Sequence, residues 1–296
     1  MLTQQAHTLQ TRLGPLAWRS SGEGPPLVFF AGALANQDLW RDVVARLEDR
    51  HRCITIDLPL GAHPWPVSRE ADRSVTSLAP LMLDCLELLD VEDATVIAND
   101  TAGGLLLLSL AGGHPALRRI GRLVLTNCES YDKFPPDQLK RATAVSRRFP
   151  RLAGAGLRLQ LRFARRVIVS GVAATGLDRE RQESFFGPAL RDPGVAEDLI
   201  AVTASFRPQL LLDAAQAIPE FDRPVLLVWG DSCKFFPLAD AERLLTDFPN
   251  ATLVPVPGAK TWVPIDNPGV LSDAIAGFVP VQAEREVSHP GWLPSS

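Results

Sequence analysis

Chemistry in this chain points first to one run, Val96-Ile97-Ala98-Asn99-Asp100-Thr101-Ala102-Gly103-Gly104. An apolar β-type segment, Ala94 to Ala98, reaches a polar pair and then small residues, and the helix-forming Leu105 to Leu110 follows. This is the layout of a strand-to-helix elbow, in which small residues let strand and helix approach while the residue at the bend stands above the sheet. In the G-x-S-x-G form of the turn that residue is Ser, and here it is Asp100. The plainer alternative is a βα turn whose Asp caps the helix. A second carboxylate, Glu129, follows the apolar run Arg122 to Asn127 (RLVLTN). If both face an apolar pocket, desolvation and mutual repulsion raise at least one pKa. Such a pair supplies a general acid and a general base without histidine. The alternative for Glu129 is a hydrogen-bonding role at a hinge. His63, in the loop after Cys53 to Asp57 (CITID), is the one histidine of five expected near the same edge, with a surface-loop role as its alternative. Cys128 and Cys233 each follow a strand-like run, and read as buried unreactive thiols.

The elements that must position these groups alternate between strand and helix. Residues His7 to Ser21 suggest a hairpin turning at Gly14-Pro15. Short continuous apolar runs at Pro26 to Phe30 (PLVFF), CITID, Ala94 to Ala98, RLVLTN and Pro224 to Gly230 fit strands buried on both faces. Helical spacing is expected over Asp38 to Leu47, Ser77 to Leu89, Leu238 to Phe248 and Val270 to Phe278, with a further strand at Ala251 to Pro257. Between about Lys133 and Ile218 strand patterning stops, and only helical segments such as Leu157 to Val169 and Val195 to Ala217 remain. Alternating strands and helices imply a mostly parallel sheet covered on both faces. The helical block then reads as an insertion over the carboxyl ends of the strands, where such sheets bind ligands. Residues 1–132 and 219–296 form the core in this reading, and 133–218 the inserted cap.

The 296 residues are 46% hydrophobic, enough for a large core, and a net charge of −4 leaves no basic footprint for nucleic acid. Arg141 to Arg166 is basic locally and reads as the solvated face of amphipathic helices. No apolar run reaches the roughly 18 residues of a membrane span, and Met1 to Gln10 lacks the form of a signal peptide. The four Cys (Cys53, Cys85, Cys128, Cys233) show no paired spacing, so neither disulfide framework nor zinc site is expected. These points together suggest a cytoplasmic protein needing no metal or cofactor. The stretch after Pro280 is expected to be poorly ordered.

Taken in order, PLVFFAG, DLPLGAH, ANDTAGG, RLVLTNCES, the helical block, VWGDSCKFFPLADAERL and VPVPGAKTWVPIDNP resemble the α/β-hydrolase superfamily over nearly the whole chain. The likeness is greatest to the branch with Asp at the elbow, which includes haloalkane dehalogenases and epoxide hydrolases. It implies backbone N–H donors at Ala33 and Thr101 forming an oxyanion hole, with Leu34, Asn99 and Trp262 lining a pocket beneath the cap. Two departures follow. The family's base His falls on Thr261, and the acid after the W-G strand falls on Cys233, with Asp231 two residues early. Thr101 also stands where dehalogenases of this type carry Trp, and the single Tyr, Tyr131, sits only at the cap's entry.

The expected function is therefore chemistry on a small, largely apolar organic molecule. Asp100 and Glu129 would act as general acid and base for elimination, isomerisation, cyclisation or rearrangement, as in specialised metabolism. One alternative is a covalent hydrolase with Asp100 as nucleophile and His63 as substitute base. The other is a non-catalytic binding protein that keeps the pocket.

Overall fold

A computed structural model describes residues 7–280. Eight strands form one sheet: β1 (His7–Thr11), β2 (Gly14–Ser21), β3 (Pro26–Phe30), β4 (Arg52–Ile56), β5 (Ala94–Asp100), β6 (Ile120–Cys128), β7 (Val225–Gly230) and β8 (Ala251–Val256). Their order is β1-β2-β4-β3-β5-β6-β7-β8. The pairs β1/β2 and β2/β4 are antiparallel, and every later pair is parallel. The parallel strands β3, β5 and β7 are buried almost throughout, as their unbroken apolar runs require of strands covered on both faces. The leading hairpin turns at Arg12-Leu13 rather than at Gly14-Pro15. The Thr11 hydroxyl donates to the Gly14 carbonyl (2.7 Å) and accepts from the Leu13 N–H (3.2 Å), which closes the turn before Pro15.

Six helices accompany the strands of the core: α1 (Arg41–Leu47), α2 (Val75–Leu88) and α3 (Thr101–Ala111), then α10 (Leu238–Asp247), α11 (Val263–Asp266) and α12 (Pro268–Phe278). Between β6 and β7 come α4 (Lys140–Arg148), α5 (Pro150–Phe163), α6 (Arg165–Val172), α7 (Arg179–Arg191), α8 (Pro193–Ala204) and α9 (Pro208–Ala214). Among the described residues no strand lies in that interval. The helix expected over Val195 to Ala217 is broken between α8 and α9. Pro208 has no N–H and drives Arg207 to an extended φ of −143°. The one expected over Leu157 to Val169 is broken at Ala164.

Apolar side chains gather in two clusters, one on each face of the sheet. One packs β-strand residues such as Val28, Val96 and Leu125 against α2, α3 and α10. The other packs Phe29, Ile97 and Val228 against α1 and α12, and also against Phe185, Phe186 and Leu161 of the helical block. The block is thus part of the core's packing. The stretch after Pro280 lies outside the described residues.

Candidate active site

Asp100 ends β5 and precedes the first residue of α3, with φ 55° and ψ −133°. A non-glycine residue rarely occupies that region, which costs on the order of 1–3 kcal/mol and persists only where the surroundings enforce it. Two glycines let them do so. A Cβ on Gly32 would lie 2.5 Å from the Asp100 Cβ and 2.7 Å from the Thr101 nitrogen. A Cβ on Gly103 would lie 2.3 Å from the Cys128 Cβ, so the first turn of α3 rests directly on the end of β6. Gly103 was expected among the small residues of the elbow, whereas Gly32, on the loop after β3, was not.

Burial pushes the Asp100 carboxyl up to about 7, while the backbone N–H groups of Thr101 and Ala33 hold it down. The two expected oxyanion donors therefore face the carboxyl of Asp100 itself. Glu129 is buried one residue beyond β6, and its Oε1 accepts a 3.0 Å hydrogen bond from the Thr101 hydroxyl. Its Oε2 is buried without a partner. Burial first, and the Asp100 charge second, raise the Glu129 carboxyl well above the ordinary range. Asp100 and Glu129 thus form one electrostatic unit around Thr101.

The loop after β7 carries Cys233, and the loop after β8 carries Thr261. Cys233 Sγ and Thr261 Oγ1 are 3.1 Å apart, and both residues are buried. Burial raises the Cys233 thiol, an effect that the Thr261 contact opposes and the Asp100 charge reinforces. Asn99 fixes the neighbouring backbone: its Nδ2 donates to the Thr261 carbonyl (2.7 Å) and to the Thr126 hydroxyl (2.8 Å). Asn99 is fully buried in this role, with its Oδ1 unpartnered. Asn127 does the same for the Cys233 loop, accepting from the Gly230 N–H (2.7 Å) and donating to the carbonyls of Gly230 (3.0 Å) and Phe236 (3.3 Å). Sequence reasoning passed over Asn127. Its signal was an amide at the end of an otherwise apolar strand, in the same setting as Asn99.

Leu34 adopts a positive φ of 58° and donates its N–H to the Leu60 carbonyl (2.8 Å). Trp262 is buried edge-on against Phe185 of α7, ring centroids 5.3 Å apart, and its backbone N–H donates to the Val172 carbonyl (2.8 Å). Both lie in loops at the strand ends, and Trp262 is held by the helical block.

His63 differs from expectation. It is buried, and neither ring nitrogen is free. Nδ1 accepts from the Gly61 N–H (3.3 Å), which makes Nε2 the donor, and Nε2 reaches Asp198 Oδ2 of α8 at 3.0 Å. Asp198 also accepts from the Val67 N–H (2.8 Å) and from the Arg73 guanidinium (2.9 Å). Among the described residues no hydrogen bond joins His63 to Asp100. Asp198 itself was missed; Glu197 beside it reads as the same polar face of the helix, and only the fold shows that Asp198 alone is fully buried.

Asp100 is half-buried at the bend, with Glu129 and Thr261 fully buried beside it. A groove of about 340 Å³ is bounded by Arg19, Gln37, Asp38, Arg41 and Glu48. Another of about 220 Å³ lies by Pro66, Arg69, Arg73 and Glu197. Neither is lined by Asp100, Glu129 or Thr261, and the open cavity expected under the helices is not among them.

A family model described as the alpha/beta hydrolase family matches residues 27–274. The chain is 27% identical to a cis-3-alkyl-4-alkyloxetan-2-one decarboxylase of Xanthomonas campestris pv. campestris, over 87% of this chain and 89% of the relative. It is also 27% identical to haloalkane dehalogenase 2 of Mycobacterium bovis, over 88% of this chain and 90% of that one. Among solved structures, an alpha/beta hydrolase fold protein from Burkholderia ambifaria superposes with a TM-score of 0.77 at 23% identity, covering 93% of this chain and 99% of that one.

Proposed function

The chain belongs to the alpha/beta hydrolase family, and from that membership we propose an enzyme that moves protons on a small, largely apolar organic molecule through Asp100 and Glu129. The observation that carries this reading is the carboxyl pair that meets at Thr101, whose backbone N–H faces Asp100 and whose hydroxyl donates to Glu129, with both pKa values raised and every ring nitrogen of His63 engaged elsewhere. Near neutral pH Asp100 titrates, so its ionised form takes a proton from the substrate. Glu129 stays protonated because ionising it would place a second negative charge in the same dry space. Its proton sits on Oε2, since Oε1 receives the Thr101 hydroxyl, and Oε2 returns it to the developing anion. The N–H groups of Ala33 and Thr101 hold the Asp100 carboxylate in place. Positioned acid–base groups contribute typically ~10²–10⁴-fold.

In this reading Cys233 and Thr261 stand where the family's acid and base would be, and neither activates water near neutral pH. The helices α4 to α9 act as a cap, consistent with their packing over the face that carries Trp262 and Phe185. That one relative is a decarboxylase supports chemistry other than hydrolysis on a chain of this kind.

A second reading is a covalent hydrolase with Asp100 as nucleophile, favoured by the dehalogenase relative. It calls for a base to cleave the ester, and His63 would have to leave Asp198 to serve.

Incubating the protein with haloalkanes, an epoxide, simple esters and four-membered β-lactones, with products and intact-protein mass followed together, separates the two. The proposal expects an unadducted protein and a non-hydrolytic product that Asp100→Asn abolishes. Multiple-turnover release of halide, diol or carboxylic acid would overturn it.

A further inference from the structure

Residues 138–177 contain no Asp or Glu, yet carry Lys140 and eight arginines, in a chain whose total charge is −4. The structure places this block on α4, α5 and α6, and shows what lies between the arginines. Of the eleven large apolar side chains most exposed among the described residues, seven fall between positions 139 and 167. Phe149 is 53% exposed, Leu152 66%, Leu159 60%, Phe163 74% and Val167 72%. The solvent-facing stripe of α5 repeats at helical spacing through Leu152, Ala155, Leu159 and Phe163, while the opposite side buries Gly154 and Leu161. A helix that only covers a core presents polar residues to water; α5 presents leucine and phenylalanine.

The cations are as unusual as the apolar stripe. Arg141, Arg148, Arg151, Arg162, Arg165 and Arg166 pair with no carboxylate among the described residues. Arg148 lies over the Phe149 ring at 5.1 Å, and Arg162 over Phe163 at 5.5 Å. Exposed aromatic and aliphatic side chains ringed by unpaired arginines are the composition of a helix that lies in the headgroup region of a bilayer. There the apolar side chains enter the acyl boundary and the guanidinium groups meet anionic headgroups.

We infer that α4 to α6 form a docking face for an anionic lipid bilayer. A second copy of this chain fits the face poorly: in a two-fold contact the patch meets itself, setting unpaired arginines against their own image. The face lies apart from Asp100 and its partners, so the inference stands whatever reaction they run. No described helix is long and apolar enough to cross a membrane, so the contact is one of lying on the surface.

Flotation of the full chain with vesicles tests this. Wild type is expected to float with vesicles of equal parts phosphatidylglycerol and phosphatidylcholine, to stay behind with phosphatidylcholine alone, and to be released by salt. Arg148→Glu with Arg162→Glu removes two attractive charges and adds two repulsive ones, and weakens partitioning by at least ~tenfold. The triple variant Leu152→Ser, Leu159→Ser, Phe163→Ser does the same while keeping its circular dichroism and melting temperature, because these side chains are already in water. If the triple variant did not fold, the arginine pair alone would decide. Failure of wild type to float, or flotation undiminished in the folded variants, overturns the inference. So does a concentration-dependent dimer that the triple variant abolishes without any vesicle binding, which would assign the face to a second copy.

Discussion

The Cys233 thiol and the Thr261 hydroxyl meet at 3.1 Å, each buried and each on a loop that leaves the sheet beside the elbow. Their backbones are clamped by Asn127 and Asn99 respectively. The two positions are thus already neighbours, and only the side chains decide what they do.

Cys233→Asp with Thr261→His therefore places an acid–base pair on an existing scaffold. Fitting imidazole at the buried position 261 costs ~1–3 kcal/mol of stability. The double variant is expected to release halide or carboxylic acid from substrates that wild type leaves unhydrolysed, measured by product formation over many turnovers. A folded double variant with wild-type behaviour would show that the neighbouring carboxyl pair blocks hydrolysis.

Asp100→Asn keeps the shape of the elbow and removes its proton chemistry. Activity on the true substrate should fall ~10²–10⁴-fold, read as kcat/KM. Full activity in this variant would reduce Asp100 to a helix cap and favour a binding protein.

Asp100 and Asp57 are both raised to about 7 by burial, and Asp240 to about 6. In the unfolded chain such groups release their protons near pH ~4. Between that value and the folded one, the native state holds protons that the unfolded state has lost, so rising pH lowers stability. Unfolding by urea should show a steady loss from about pH 4 to pH 8, by the same argument. Asp100→Asn, which cannot ionise, should gain ~1–3 kcal/mol over wild type at pH 8 and little at pH 4.

Asp198 is buried beneath three donors, His63, Arg73 and the Val67 N–H. Asp198→Ala strands a buried imidazole and a half-buried guanidinium and is expected to cost ~3–5 kcal/mol. His63→Ala should weaken the fold as well, but leave kcat in the folded fraction within a few-fold. A thousandfold fall in kcat with unchanged stability would instead make His63 a base.

Much of the fold was readable because parallel strands buried on both faces are written as unbroken apolar runs, and PLVFF, CITID and RLVLTN all became strands. The elbow was readable because few sequences place a carboxylate between an apolar strand and a run of small residues. Contacts distant along the chain were not: His63 meets Asp198 across 135 positions, and nothing local to either names the other. The break at Ala164 carries no Gly or Pro to announce it. The basic stretch reads as an ordinary solvated face from sequence, since periodicity reveals an apolar stripe without saying which side of the helix meets water. On α5 both sides are apolar, and only packing told them apart.

The ties between helical block and core are unevenly placed, and that sets where the molecule can breathe. Val172 of α6 is fastened to Trp262, Ser184 of α7 to Asn36, and Asp198 of α8 to His63. The helix α5 packs instead on its neighbours α4, α6, α7 and α8. Fluctuations that spare the fastened helices lift α4 and α5 as an outer leaf, a unit whose amides exchange with solvent long before those of the sheet. A surface that held this leaf by its leucines and arginines would still the part of the helical block that the core itself fastens least.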